Sequence, residues 1–281
     1  MRFTVSSTAL SSKLNALAKV INSKNSLPIL ADFLFDIQDN VLYLTASDSE
    51  NVINTQMELT ESDANGRFAI NNHDLLEAIK GFSEQPITFD VNLQDNIAKI
   101  SYQNGLFSLP VENADEYPQS QPITEGINTI VMPSNVLADN INRSLFATAQ
   151  DELRPVMNGI YFDLTPEHLA VVASDGHKLV RNKVFTVQSE QPASFILPKK
   201  PAGLLKNLLQ KDGGDVEIKF NERNAEINYG DGRLSCRLIE GRYPNYNSVI
   251  SQNNTTTLTV DRLALLVALR CAQPFANDST H

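Results

Sequence analysis

The sequence predicts an α+β chain built by repetition, in which one domain of mixed helix and strand occurs twice in succession. Two observations predict it. Landmark residues return at one fixed spacing of 127 positions. Inside each copy the order of strand, helix and strands returns a second time, so each domain reads as two β-α-β-β-β halves.

The landmarks run in one order along the chain. Phe3-Thr4-Val5 followed by Leu10 returns as Ile130-Val131-Met132 followed by Leu137, at 127 residues. Pro28 with Asp36 returns as Pro155 with Asp163, and Ala46-Ser47-Asp48 as Ala173-Ser174-Asp175. Phe68-Ala69-Ile70 before Leu75-Leu76 returns as Phe195-Ile196-Leu197 before Leu204-Leu205. Tyr102 with Asn104-Gly105 returns as Tyr229 with Asp231-Gly232, and Tyr117-Pro118 as Tyr243-Pro244, one residue closer.

Each element has a local reason. Leu10, Leu14, Leu17 and Ile21 recur at helical spacing after the first strand, and Leu75, Leu76 and Ile79 do so after Phe68-Ala69-Ile70, which turns one face of each helix onto a sheet. Ile87-Thr88-Phe89-Asp90-Val91 alternates as a strand does, and so does the run from Ile97 to Tyr102, which ends at an Asn-Gly hairpin turn. Leu258-Thr259-Val260 followed by Leu265 opens a third copy at an offset of 128. Its apolar helix continues through Leu263, Leu266, Val267 and Leu269. The expected domains are 1–122, 128–252 and an incomplete third over 256–281, with linkers at 119–128 and 253–257. About 24 residues cannot fold a repeat of this length, so the expectation is a fragment or truncated product with an exposed apolar helix stripe.

At 281 residues, 42% hydrophobic and 20% charged, the composition is that of an ordinary globular protein, long enough for about two domains. Met1-Arg2-Phe3-Thr4-Val5 opens like a strand rather than a signal peptide, and no apolar run approaches the ~18–20 residues of a membrane span. The expected compartment is the cytoplasm. Cys236 and Cys271 read as buried or semi-buried free thiols, and neither a metal site nor a cofactor is expected. The Asn-x-Ser/Thr triplets at Asn142, Asn253, Asn254 and Asn277 carry no weight without a secretory signal.

A net charge of −10 argues against nucleic acid until the charge is divided by element. Residues 8–24 carry Lys13, Lys19 and Lys24 without an acid, and 199–211 carry Lys199, Lys200, Lys206 and Lys211 without one. The five predicted helices sum to about +7, leaving about −17 elsewhere. Basic helices in equivalent positions about a common axis would add into one surface that attracts phosphates without reading sequence.

Ser174-Asp175-Gly176-His177 has the residue types of a Ser-His-Asp hydrolase. Residues this close on one strand and turn point in diverging directions, and no Gly-x-Ser-x-Gly elbow is present. Asp175-Gly176 reads instead as a turn in which Asp bonds its own backbone and Gly takes a positive φ. An acidic α+β hydrolase using Ser174, Asp175 and His177 stays as the alternative. Hydrolysis abolished by His177→Ala would establish it.

Four stretches together resemble the bacterial sliding clamp, the beta subunit of DNA polymerase III. They are Leu27-Pro28-Ile29-Leu30, Arg154-Pro155-Val156-Met157-Asn158-Gly159, Ala173-Ser174-Asp175-Gly176-His177-Lys178-Leu179 and Glu240-Gly241-Arg242-Tyr243-Pro244-Asn245-Tyr246. The resemblance implies repeated clamp domains with helices lining a central hole and sheets outside, and a non-catalytic processivity factor. Full-length subunits of that family join head to tail as a homodimer ring around duplex DNA. It further implies that Met157, Ser174, Gly176, His177, Lys178, Leu179, Pro244 and Val249 line a groove for short peptides. Its users would be the polymerase III alpha subunit, the clamp loader and other proteins with a clamp-binding motif. Lys24, Arg154, Lys199 and Lys200 match positions that approach DNA. Ser248 departs from the longer basic side chain common there, and Gln150-Asp151-Glu152 is too acidic to be given a DNA contact.

Overall fold

The computed structural model describes residues 1–22, 27–118, 122–209 and 213–276. The chain divides into two compact units, Met1–Tyr243 and Pro244–His281.

The first unit opens with β1 (Arg2–Ser6), α1 (Ser7–Leu17), β2 (Asp32–Gln38), β3 (Val41–Ser47), β4 (Asn51–Glu58) and a two-residue β5 (Glu61–Ser62). Then come β6 (Gly66–Asn71), α2 (Asn72–Ile79), β7 (Pro86–Asn92), β8 (Ile97–Tyr102) and β9 (Gly105–Glu112). The same order follows as β10 (Asn128–Pro133), α3 (Ser134–Ser144), β11 (Gly159–Leu164), β12 (Leu169–Ser174) and β13 (Leu179–Val184). It ends with β14 (Ala193–Pro198), α4 (Lys199–Leu208), β15 (Asp215–Phe220), β16 (Asn224–Tyr229) and β17 (Gly232–Arg237). Both helices of the second copy, and β14, β16 and β17, begin 127 residues after their counterparts, so the spacing seen in the sequence is a structural repeat.

Periodicity accounts for the elements. In α1, Leu10, Leu14 and Leu17 have no exposed surface, and each such burial is worth about 1.5–3 kcal/mol. In β7, Ile87, Phe89 and Val91 are buried while their neighbours face outward. The Ser6 hydroxyl caps α1 by accepting from Ala9 N at 3.2 Å, and Asn71 caps α2 by accepting from His73 N at 3.1 Å. Pro133 and Pro198 occupy the equivalent positions in the second copy, so α3 and α4 start without a side-chain cap. The core repeats as well: Phe35 stacks on Phe68 at 5.0 Å, and Phe162 on Phe195 at 4.6 Å.

Every strand pairing among the described residues is antiparallel. Four strands form a sheet in the order β13-β12-β11-β14, and the other thirteen form a second sheet. The second sheet is continuous because β17 pairs with β4, from Gly232 opposite Thr55 to Cys236 opposite Asn51. This seam fuses the two repeats edge to edge.

In the second unit, α5 (Arg262–Ala272) is capped by Asp261, whose carboxylate accepts from Ala264 N at 2.8 Å. It buries none of its residues, and Leu263, Leu265, Val267 and Leu269 are all about half exposed or more. The strand expected at Leu258-Thr259-Val260 does not form. A strand needs a partner edge, and its counterpart β10 finds one 88 residues downstream, where Ile130 lies opposite Ile218. Cys271 on α5 is exposed, against the expectation of a buried or semi-buried thiol, whereas Cys236 is buried and its thiol pKa is pushed up to about 12. Among the described residues no helix is long and apolar enough to cross a membrane.

Candidate functional site

The turn leaving β12 is built by its own side chains. The Asp175 carboxylate accepts from His177 N and Lys178 N, both at 2.9 Å, and pairs with the Lys178 ammonium. That lysine hydrogen bond, followed by the two backbone N–H groups, holds the Asp175 pKa well below the usual carboxylate range. Ser174 Oγ donates to Lys178 O at 2.9 Å and accepts from Gly176 N at 3.1 Å. Gly176 sits at φ +91°, in the region that favours glycine.

The first repeat contains the same turn. Asp48 accepts from Glu50 N at 3.0 Å and Asn51 N at 2.7 Å, Ser49 N donates to Ser47 Oγ at 3.1 Å, and Ser49 has φ +80°. The turn is therefore scaffold common to both copies. What distinguishes the second copy is its setting.

Two loops converge on the turn. Residues 151–158 close on themselves, because Asn158 Oδ1 accepts from Asp151 N at 2.9 Å and its amide donates to Asp151 O at 3.0 Å. Asp151 in turn accepts Arg154 Nε at 2.8 Å, which with Leu153 N keeps its pKa low. The Arg154 guanidinium lies over Gly176, where a Cβ would come within 3.3 Å of it. Met157 is buried in the same segment. From the other side Tyr243 stacks on Tyr161 at 4.7 Å, with the two ring planes nearly parallel. Its buried hydroxyl lies against the Ser174 backbone without completing a hydrogen bond of normal geometry, and burial pushes its pKa up to about 12.

A second feature lies at the seam. A cavity of about 390 Å³ is lined by Lys13, Asn15 and Lys19 of the α1 segment, Thr55 of β4, and Asn207 and Leu208 of α4. The two helices with the most lysines therefore flank one opening. Lys13 donates to Thr55 Oγ1 at 3.2 Å and pairs with Asp231. Lys200 reaches across the seam to Val20 O at 2.8 Å, Asn22 Oδ1 at 2.6 Å and Asp48 Oδ2 at 2.5 Å. Among the described residues Lys19, Lys199 and Lys206 carry no ion pair. No cluster of His, Cys, Asp and Glu among those residues could hold a metal ion.

Comparison with known proteins assigns the fold. Residues 1–121 match the family model of the DNA polymerase III beta subunit, N-terminal domain, and 131–245 match the model of its central domain. Together the two leave only 122–130 and 246–281 unmatched. The chain belongs to the DNA polymerase III beta-subunit family. The beta sliding clamp of Haemophilus influenzae is 27% identical over 91% of this chain and 69% of its own length. That of Buchnera aphidicola is 26% identical over 96% and 73%. The crystal structure of the sliding clamp from Pseudomonas aeruginosa bound to griselimycin superposes with a TM-score of 0.92 at 24% identity, over 99% of this chain and 75% of that one.

Within this beta-subunit fold the predicted residues separate into groups. Met157, Ser174, Gly176, His177, Lys178 and Leu179 gather at one end of the four-stranded sheet. Pro244 and Val249 belong to the second unit, where Val249 is 72% exposed. Lys24 lies outside the described residues. Arg154 and Lys199 are exposed, but Lys200 is engaged at the seam and does not stand free for DNA. The hydrolase reading fails on chemistry as well as on family: the hydrogen bonds of Ser174 and Asp175 go to the turn itself, and none involves the His177 ring. Asn158, Tyr161 and Tyr243 were not named as site residues from the sequence. Asn158 and Tyr243 stand in the stretches that carried the resemblance, and that was the available signal.

Proposed function

We propose that the chain is a non-catalytic processivity factor that surrounds duplex DNA without reading its sequence and tethers polymerase III and other partners through a peptide-binding groove. The seam carries this reading. It sets the two repeats edge to edge, so that Lys13 and Lys19 of the α1 segment line one opening with Asn207 and Leu208 of α4, the helix that also carries Lys199 and Lys206, while the chain as a whole is acidic. In this arrangement DNA is held by enclosure, and the phosphate contacts can be weak enough to slide. The repeats 1–122 and 128–252 act as clamp domains, and 256–281 as the opening of a third.

The groove uses the turn differently from the scaffold role shared with the first repeat. Met157 and Leu179 supply an adaptable apolar surface, and exposed His177 and Lys178 supply the polar rim. Arg154 is held over Gly176, next to both the turn and the 151–158 loop, so it connects the two surfaces.

Two sets of variants separate the roles. Met157→Ala and His177→Ala each weaken binding of a polymerase-derived peptide by on the order of tenfold, read by fluorescence anisotropy, with DNA retention unchanged. Lys199→Glu with Lys206→Glu reduces DNA retention, most strongly at low salt, with peptide affinity unchanged. Equal loss of both activities in either set would contradict the separation.

A further inference from the structure

One end of the seam opens into a cavity built like the proposed peptide groove. Pairing of β17 with β4 stops at Cys236 opposite Asn51, where Arg237 N donates to Glu50 O at 3.0 Å and Ser49, at φ +80°, turns the chain away. Beyond that point lies a cavity of about 510 Å³, within the ~300–1,000 Å³ range of ligand pockets. One wall is made by Ser47, Ser49, Glu50, Val52, Pro118 and Ile123. Moved by 127 positions, the first four become Ser174, Gly176, His177 and Leu179; moved by 126, the offset of Tyr117-Pro118, the last two become Pro244 and Val249. Six of the eight residues assigned to the groove thus have first-repeat counterparts around this cavity.

The facing wall comes from the second repeat. It consists of the turn from β15 to β16 and the adjoining ends of β16 and β17, where Ala225 lies opposite Cys236. Ala225 and Cys236 are buried, and Val52, Pro118 and Ile123 are half-buried, so these five make an apolar floor. Hydrogen bonds fix both walls. Asp48 Oδ1 holds the first through Glu50 N and Asn51 N, and Asn221 Oδ1 holds the second by accepting from Arg223 N at 3.0 Å and Asn224 N at 2.9 Å. A site held open in advance costs little further ordering when it is filled.

The charges are placed differently from those of the groove. There the positive side chain, Lys178, stands on the turn; here the turn carries Glu50 and Asn51, and the positive side chains, Arg223 and Arg237, stand on the facing wall. Both are exposed and share a single acid, Glu240, whose Oε1 lies at 3.8 Å from Arg223 and 4.0 Å from Arg237. These separations exceed a hydrogen bond, so among the described residues the two guanidinium groups donate to no protein acceptor. Glu226, the other acid on that wall, is taken up by Arg233 at 3.7 Å and Asn228 at 3.4 Å. Two planar forks with unused donors beside an apolar floor are complementary to a carboxylate next to an apolar side chain.

We propose that this cavity is a second peptide site, which takes a short segment of a partner protein in which apolar residues are flanked by Asp or Glu, with a carboxylate held by Arg223 and Arg237. Glu50 repels an acid on the turn side and so sets which end of the segment faces the arginines. The whole site lies within the first unit, and it stands on its own walls and charges whether or not the groove at Met157 and Leu179 binds peptides.

Methyl NMR titration of the 281-residue chain, without DNA, tests this with acetyl-Asp-Leu-Leu-Asp-amide and its analogue acetyl-Asn-Leu-Leu-Asn-amide. The acidic peptide is expected to shift the methyls of Val52, Ile123 and Ala225 saturably, with a Kd on the order of 100 µM, and the analogue to bind at least tenfold more weakly. Arg223→Glu combined with Arg237→Glu changes two exposed side chains and is expected to weaken the acidic peptide at least tenfold. If that variant does not fold, the comparison of the two peptides on wild type carries the test. Shifts confined to Met157 and Leu179 would place the peptide in the groove alone. Equal binding of the two peptides would make the cavity an unselective apolar cleft, and the same shifts on raising protein concentration without peptide would make its occupant a second copy of the chain. Any of these results, a folded double variant that binds like wild type, or no saturable shift up to about 2 mM peptide would overturn the proposal.

Discussion

Gly159→Ala is expected to destabilise the chain by about 2–3 kcal/mol and to weaken peptide binding without touching the peptide. Gly159 opens β11 opposite Pro198 of β14. A Cβ there would stand 2.6 Å from Leu197 O and 2.8 Å from Ile196 Cγ2, and the first of these is backbone that cannot rotate aside. β11 must move away from β14, and Asn158, which holds the 151–158 loop closed, moves with it. Alanine gains up to about 1 kcal/mol by restricting the unfolded chain, which offsets only part of the clash. Gly203→Ala is the control. Nothing lies within 4 Å of a Cβ at that position in α4, so helix propensity should stabilise the chain by up to about 1 kcal/mol. Urea denaturation of the two variants should shift in opposite directions.

Lys200→Met is expected to cost about 2 kcal/mol, acting on the seam rather than on DNA. The Asp48 side chain is 4% exposed, and methionine would leave its carboxylate without the ammonium. Breaking a buried pair costs roughly 3–5 kcal/mol, and the estimate is reduced because the Lys200 side chain is 36% exposed. Burial alone would raise the Asp48 pKa, but the hydrogen bonds from Lys200 and Asn51 outweigh it and hold the pKa below its usual value. A carboxylate whose folded pKa is depressed stabilises the fold above its unfolded pKa. That contribution is lost as pH falls below about 4 through the folded value. Asp48→Asn should therefore flatten the acid limb of the stability profile, and Lys200→Met should lower the plateau at neutral pH. Thermal denaturation as a function of pH reads both.

The fold was largely legible in the sequence because a repeat supplies a long-range constraint that no single segment does. Phe35 and Phe68 stack, and so do Phe162 and Phe195, at the offset that the sequence already showed. Pairing between repeats was not legible. Nothing local marks Cys236 as lying opposite Asn51, and the strand expected at Leu258 failed because pattern alone does not supply a partner edge. The site was legible in part for the same reason. Asp175-Gly176 forms the turn its residue types dictate. The role of Lys200, by contrast, depends on an acid 152 positions away. Counting lysines by helix treated as free a charge that the fold had already committed. Asp151, set aside as too acidic for a DNA-facing loop, holds Arg154 in place.

The most direct test of the proposed clamp is retention on DNA of closed topology. The chain is loaded onto a nicked circular duplex by a cognate clamp loader, separated from free protein by gel filtration, and the circle is then cut at one site. Enclosure predicts stable retention on the circle and rapid release from the linear product, independent of sequence. Retention that survives linearisation, or that follows sequence rather than topology, would contradict it.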